Sequence, residues 1–356
     1  MASPGTARGV PDFDDVLARA GDANVLGADS LLVLHPLIEA AMATGRFAQV
    51  DGLVNAHHVV SPSSSEQVAV WVRLQLARSL LFRGELAAVV DECRRLESSR
   101  ALERFPQVAM LTNALLCYCA AQRADRDEVD ARSSLVLAEA RVNSTYVQVG
   151  SCLLVSWSFA TIGQVQRAAA LLLASAGGPS LSRIKTWDRA VGYDLLVDAA
   201  VRRGDLPTAR AMAARATPLA QFEVAAAAVQ RALSRLATAE GDAQEALERA
   251  TQSAAHDLAS GAQIDELRSR VLIASALVAT GESAAAIADL GATAREAERL
   301  GADAVRQQAA RELRTLSDRR GGWESLTDRE RQIVALAAEG HSNRTIAGTL
   351  FISERT

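Results

Sequence analysis

The clearest chemistry in this sequence belongs to two short polar runs near its C-terminus. Ser342-Asn343-Arg344-Thr345 and Ser353-Glu354-Arg355-Thr356 each set a hydroxyl just ahead of an arginine, at points where a helix can begin. A helix N-terminus presents unpaired N–H groups and the positive end of its dipole, so such runs suit phosphate oxygens. Other chemistries find less support. No G-x-x-x-x-G-K-[ST] occurs, and the single lysine, Lys185, is not preceded by glycine, so a P-loop is excluded. No G-x-S-x-G or H-E-x-x-H is present. His35 and Glu39 stand i, i+4 but lack a third metal ligand nearby. Gly177-Gly178-Pro179-Ser180 has the composition of a phosphate cradle, but it reads first as a loop between helices. No catalytic residue, metal or cofactor is therefore expected.

The elements that hold the two runs can be read from capping and periodicity. Thr327-Asp328-Arg329-Glu330 is a T-x-x-E capping box, which predicts a helix from Asp328. Ile333, Val334, Leu336 and Ala337 give that helix an apolar stripe, and Gly340 ends it in a left-handed conformation. Ser342 caps a second helix, Asn343 to Leu350, with Ile346, Ala347 and Leu350 on its inner face. Ser353 then caps a third helix that has barely begun at Thr356. Two short helices, a tight turn and a newly capped third make the opening of a helix-turn-helix.

Over Leu326 to Thr356 the sequence resembles the start of the LuxR-type DNA-binding domain. The T-x-R-E start, the glycine stop, the S-N-[KR]-x-I-A helix and the F-[IV]-S-x-x-T turn are all matched without a gap. The resemblance implies that Ser342, Asn343, Arg344 and Thr345 face phosphates. It also implies that Ser353, Glu354, Arg355 and Thr356 open the recognition helix toward the major groove. Thr327, Glu330, Gly340, Ile346, Ala347 and Leu350 would be structural. The family's pattern continues past the point where this sequence stops. From Trp323 onward four arginines face five acidic residues, so this form is expected to bind DNA weakly or not at all.

The preceding part of the chain reads as a helical array. Aromatic residues are only 4% of the 356, alanine supplies much of the apolar content, and β-branched runs bounded by turns are missing. Apolar helices end at Gly45, Gly84, Gly163, Gly204, Gly241 and Gly281, with a degenerate junction near Arg126 that has no glycine. Successive glycines lie 39, 79, 41, 37 and 40 residues apart, the 79 spanning two units. Small or apolar residues recur five and nine positions after each glycine, from Val50/Val54 to Ala286/Leu290, on one face of the following helix. About seven units of roughly 40 residues therefore stack as an α-solenoid. The array resembles tetratricopeptide repeats, although its period exceeds that family's roughly 34 residues.

These readings give an all-α protein: a TPR-like α-solenoid of helix-turn-helix repeats followed by a short, incomplete helix-turn-helix DNA-binding module. Residues 1–22 read as disordered or linker, 23–318 as the repeats, 319–322 as a flexible hinge and 323–356 as the terminal module. The net charge of −4 is mild, so DNA affinity must be local. Cys93, Cys117, Cys119 and Cys152 lie in apolar contexts without C-x-x-C spacing, which suggests reduced core thiols and a cytoplasmic protein. Apolar stretches are too short to span a membrane. Trp71, Trp157 and Trp187 read as core residues, with ligand binding on a concave face as the alternative.

The pattern resembles the C-terminal part of a large, MalT-like LuxR-family transcriptional regulator. The resemblance implies that the repeats respond to an unknown effector or protein partner, that the module acts on promoter DNA, and that a homodimer is among the partners. The rival expectation is a protein–protein interaction scaffold whose helix-turn-helix remnant does not bind DNA.

Overall fold

A computed structural model describes residues 30–60, 66–98, 101–140, 145–324, 327–338, 341–350 and 352–353. Among these, eighteen α-helices and no strand are found. The first fifteen make seven antiparallel pairs with one single-turn helix between two of them. The pairs are α1 (Ser30–Ala43) with α2 (Phe47–Val60), and α3 (Glu66–Arg83) with α4 (Leu86–Glu97). After the single turn α5 (Ala101–Arg104) come α6 (Pro106–Gln122) with α7 (Arg126–Glu139) and α8 (Tyr146–Thr161) with α9 (Val165–Ser175). The last three are α10 (Asp188–Arg202) with α11 (Leu206–Ala216), α12 (Glu223–Glu240) with α13 (Ala243–Ser260), and α14 (Gln263–Ala279) with α15 (Ser283–Arg299). A long helix, α16 (Asp303–Glu324), follows the seventh pair.

One backbone device makes every pair. The residue after the first helix adopts a positive φ, from +58° to +91°, and the next N–H reaches back to the carbonyl five residues earlier. That bond measures 2.8 Å at Arg46, 3.0 Å at Glu85 and Asp125, and 2.7 Å at Glu282. It satisfies a carbonyl that the helix end would otherwise leave without a partner. Glycine holds the left-handed position in six junctions; Ala124, with φ +58°, holds it in the one near Arg126. Asp125, Asp205 and Asp242 then cap the second helix by accepting from the N–H three residues on, at 3.0–3.1 Å. Glu85 and Glu282, one methylene longer, make no side-chain cap bond. The positions five and nine residues past each junction are buried throughout, including Val129 and Ser133 after Ala124.

The array curls until its ends meet. Residues of α3, α4 and α6 share one apolar core with residues of α14, α15 and α16. Glycines at two early junctions permit the approach: a Cβ on Gly45 would lie 3.0 Å from Ser260 Cβ, and one on Gly84 would lie 3.1 Å from Ile264 Cγ1. Arg268 of α14 donates to Thr161 Oγ1 at 3.1 Å and sets its guanidinium 5.8 Å from the Tyr118 ring centre. The stack of repeats is thus a closed turn of solenoid with an interior. Residues 319–322, expected to be a flexible hinge, are instead helical, because α16 runs on without a break to Glu324.

Charged groups line part of that interior. Arg231, with a side chain 5% exposed, donates to Asp194 at 3.2 Å and to Asp257 at 2.8 Å. Arg235 donates to Asp194 and Asp198, and Arg202 to Asp198. Burial works against the Arg231 charge, but Asp257, Asp265 and Asp194 more than offset it and keep the guanidinium protonated. The four cysteines are free and buried. Burial pushes the Cys117 and Cys152 thiols up to about 11 and Cys119 to about 12, so they behave as inert core residues. Gly178–Ser180 is a single turn of 3₁₀ helix in the loop between α9 and α10, held by Tyr193 Oη donating to the Ser180 carbonyl at 3.0 Å. Trp187 is buried, while Trp71 and Trp157 are only half-buried.

Three substitutions test this account. An alanine at positive φ carries a penalty of about 1 kcal/mol or more, partly offset by glycine's freer unfolded chain. Ala124→Gly should therefore raise the urea midpoint slightly, while Gly204→Ala, which meets no neighbour, should lower it. Arg231→Met removes one partner of a buried pair and leaves Asp257 without a cation, Asp194 keeping Arg235, so a loss of about 3–5 kcal/mol is expected on denaturant unfolding. An unchanged midpoint would show that water already screens the network.

Candidate nucleic-acid interface

The terminal module is built from two short helices, α17 (Asp328–Ala338) and α18 (Asn343–Leu350). Both begin where their caps require. The Thr327 N–H donates to Glu330 Oε2 at 2.7 Å, and the Glu330 N–H donates to Thr327 Oγ1 at 3.3 Å, completing the capping box. These bonds from the Thr327 side chain and backbone hold the Glu330 carboxyl below its usual pKa. Ser342 Oγ accepts from the Thr345 N–H at 3.2 Å, and the two hydroxyls lie 2.9 Å apart.

The helices also end in closed turns. The His341 N–H reaches the Leu336 carbonyl at 3.1 Å, a bond spanning the glycine expected to stop α17. Gly340 itself lies outside the described residues. At the far end of α18 the Ile352 N–H reaches the Ala347 carbonyl at 3.0 Å. The helix-turn-helix core is small. Ile346, Ala347 and Leu350 are buried, and α18 packs against α17. The stripe on α17 is narrower than the sequence suggests: Ile333 and Leu336 are half-buried, whereas Val334 and Ala337 face solvent. An 11-residue helix against an 8-residue one covers a seam at i, i+3, and Val334 and Ala337 lie beyond its edge.

Ser342, Asn343, Arg344 and Thr345 are all exposed at the start of α18, forming one polar, N–H-rich helix end. Ser353 is exposed just past the turn. Glu354, Arg355 and Thr356 lie outside the described residues. The arrangement offers hydroxyls, a guanidinium and helix-start backbone N–H groups on one surface, which is the chemistry of phosphate contact.

Residues 324–356 match the family model described as "Bacterial regulatory proteins, luxR family". The C-terminus carries a LuxR-family helix-turn-helix domain. The helical body that precedes this domain is consistent with a LuxR regulator of the MalT-like kind. No curated protein matches the chain.

Elsewhere, the His35–Glu39 pair gains no support as a metal site, because Glu39 is engaged by Arg78 and Lys185. No cluster of metal-ligating side chains is found among the described residues. No described helix is long and apolar enough to cross a membrane. Sequence reading did not single out Arg78, Gly150 or Asp188, which line a cavity inside the solenoid. One signal was available for Gly150, a lone glycine within an apolar helical run.

Since Ile346 anchors α18, Ile346→Asp should expose that helix. Amide exchange over residues 343–350 should speed up at least tenfold, with the amides of α10 to α15 unchanged. Equal protection in both proteins would mean that the caps alone hold α18.

Proposed function

We propose that this chain is a DNA-binding transcriptional regulator in which a closed helical-repeat body senses an effector or partner and controls the terminal helix-turn-helix. The observation that carries the reading is the LuxR-family match to residues 324–356, set on two capped helices with Ile346, Ala347 and Leu350 buried. The chain divides into the repeats, residues 23–318, and the terminal module, residues 323–356.

Roles within the module follow from its surface. Ser342, Asn343, Arg344 and Thr345 contact phosphate, fixing the register of the module on the duplex. Ser353, Glu354, Arg355 and Thr356 present the start of the recognition helix to base edges in the major groove. DNA is the partner, and a homodimer would bind two half-sites about one helical turn apart. A DNA-binding role and four buried free thiols both favour a cytoplasmic location.

The test is a titration of promoter fragments with the full chain at several low salt concentrations. Arg344→Ala should weaken binding to all sequences alike and reduce the salt slope by about 1. Weakening confined to one sequence would move Arg344 from phosphate to base contact. DNA affinity that no salt or module substitution changes would overturn the regulator reading.

A further inference from the structure

A cavity of about 70 Å³ opens on the inner face of the solenoid between α3, α6, α8 and the start of α10. Its walls are aromatic, formed by Trp71, Phe82, Tyr146 and Trp157, with Leu111 and Leu115 beside them. One end is polar and holds Arg78 and Asp188.

These two polar groups have bonding capacity to spare. Arg78 Nη1 donates to Glu39 at 2.6 Å and to Gln75 at 2.7 Å, while its Nε and Nη2 make no hydrogen bond among the described residues. Asp188 accepts none from the described residues either. Burial pushes its carboxyl up to about 6, against the opposing pull of Arg78 and Lys185. By contrast, the guanidinium groups in the neighbouring polar cavity are already matched by Asp194, Asp198, Asp257 and Asp265.

Charge is balanced around the polar end. Two carboxyls, Glu39 and Asp188, face two cations, Arg78 and Lys185, and the Lys185 ammonium also sits 4.4 Å from the Tyr146 ring centre. A charged guest would break that balance in a poorly solvated site; a neutral guest would not. A third observation concerns Gly150, in the second turn of α8, where glycine disfavours the helix relative to alanine. Its φ is not positive, and a Cβ there would meet nothing within 4 Å. Backbone geometry does not call for glycine, and the missing side chain keeps the cavity open.

Size narrows the guest further. An apolar cavity of roughly 150 Å³ encloses benzene. About half that volume, open on one side, takes in part of one ring, and the rest of the guest projects into the solenoid interior. It has no room for a saccharide chain or a folded peptide.

We propose that this cavity binds a small uncharged ring compound bearing one hydroxyl, carbonyl or N–H group. The ring lies among Trp71, Phe82 and Trp157, and the polar substituent exchanges hydrogen bonds with Asp188 and Arg78. The proposal deepens the reading of the repeats as the sensor and rests on it for its regulatory meaning, while the binding itself can be measured separately.

The experiment titrates the full chain with phenol, benzoate and benzylamine at neutral pH, following tryptophan fluorescence and binding heat. Phenol should saturate, with both charged analogues at least tenfold weaker. Gly150→Leu should lose phenol at least tenfold, and Gly150→Ala should bind it more weakly while melting at the same or a higher temperature. The proposal is overturned if phenol fails to saturate, if benzoate or benzylamine binds as well, or if Gly150→Leu binds phenol undiminished. DNA titration with and without phenol separates the two readings. Saturable phenol binding with unchanged DNA affinity supports the cavity and counts against gating; DNA binding without phenol binding removes the cavity and leaves the regulator.

Discussion

The fold depends on a single backbone constraint repeated seven times. Each helix pair turns on one residue at positive φ, and the following N–H reaches back five residues to close the helix end. This geometry fixes the angle at which the second helix leaves, so each repeat presents the same small-residue face to the next. The faces are rich in alanine, with Ala246, Ala250 and Ala286 fully buried, and small side chains let the helix axes approach closely. Close approach, repeated with one sense of rotation, gives a tight superhelix. The closed turn therefore follows from the local junction together with the alanine faces.

Closure has an electrostatic consequence. Bringing α3 and α6 up to α14 and α16 places inward-facing side chains out of bulk water, including groups that an open solenoid would leave solvated. The chain answers with pairing: Arg231 is held between Asp194 and Asp257, and Ser253 and Ser269 supply further bonds at 2.8 Å. Replacing such a network with apolar residues is often neutral or stabilising in other proteins. Its presence here fits a role in register, since Arg231 recognises carboxylates on two other helices and Arg235 ties α12 to α10. Arg231 alone joins α10, α12 and α13.

Much of this was legible in the sequence. Six of the seven junctions are where the glycines stand, and the residues five and nine positions later are buried in each unit, because both depend on contacts within some forty residues. The two caps of the terminal module were equally legible: Thr327 with Glu330, and Ser342 with Thr345, are bonds of span three. What could not be read depends on distant neighbours. The contact between Gly45 and Ser260 joins positions more than two hundred residues apart, and no periodicity announces it. Ala124 takes the left-handed turn without glycine because packing on both sides, through Cys117 and Val129, fixes the turn against its own preference. The cavity by Gly150 likewise exists only once α3, α6 and α8 are assembled.

The helix through residues 319–322 bears most directly on the proposed link between the two parts. Its sequence, with two glycines beside two arginines, favours a flexible joint on propensity alone. Yet α16 is rooted in the ring, with Val305 and Ala309 buried and Ala304 and Gln308 facing the polar interior cavity, and helix once begun is extended cheaply. A flexible linker would leave the terminal module indifferent to the state of the repeats. A helix anchored among the interior side chains carries rotation and tilt over its own length, about 33 Å at the ordinary rise per residue. Under the proposed reading, a small repacking around α16 at the ring is therefore magnified at the helix-turn-helix. The same two glycines then have a specific consequence: they make the distal turns of α16 the weakest part of that lever, so the module can be uncoupled there without disturbing the ring.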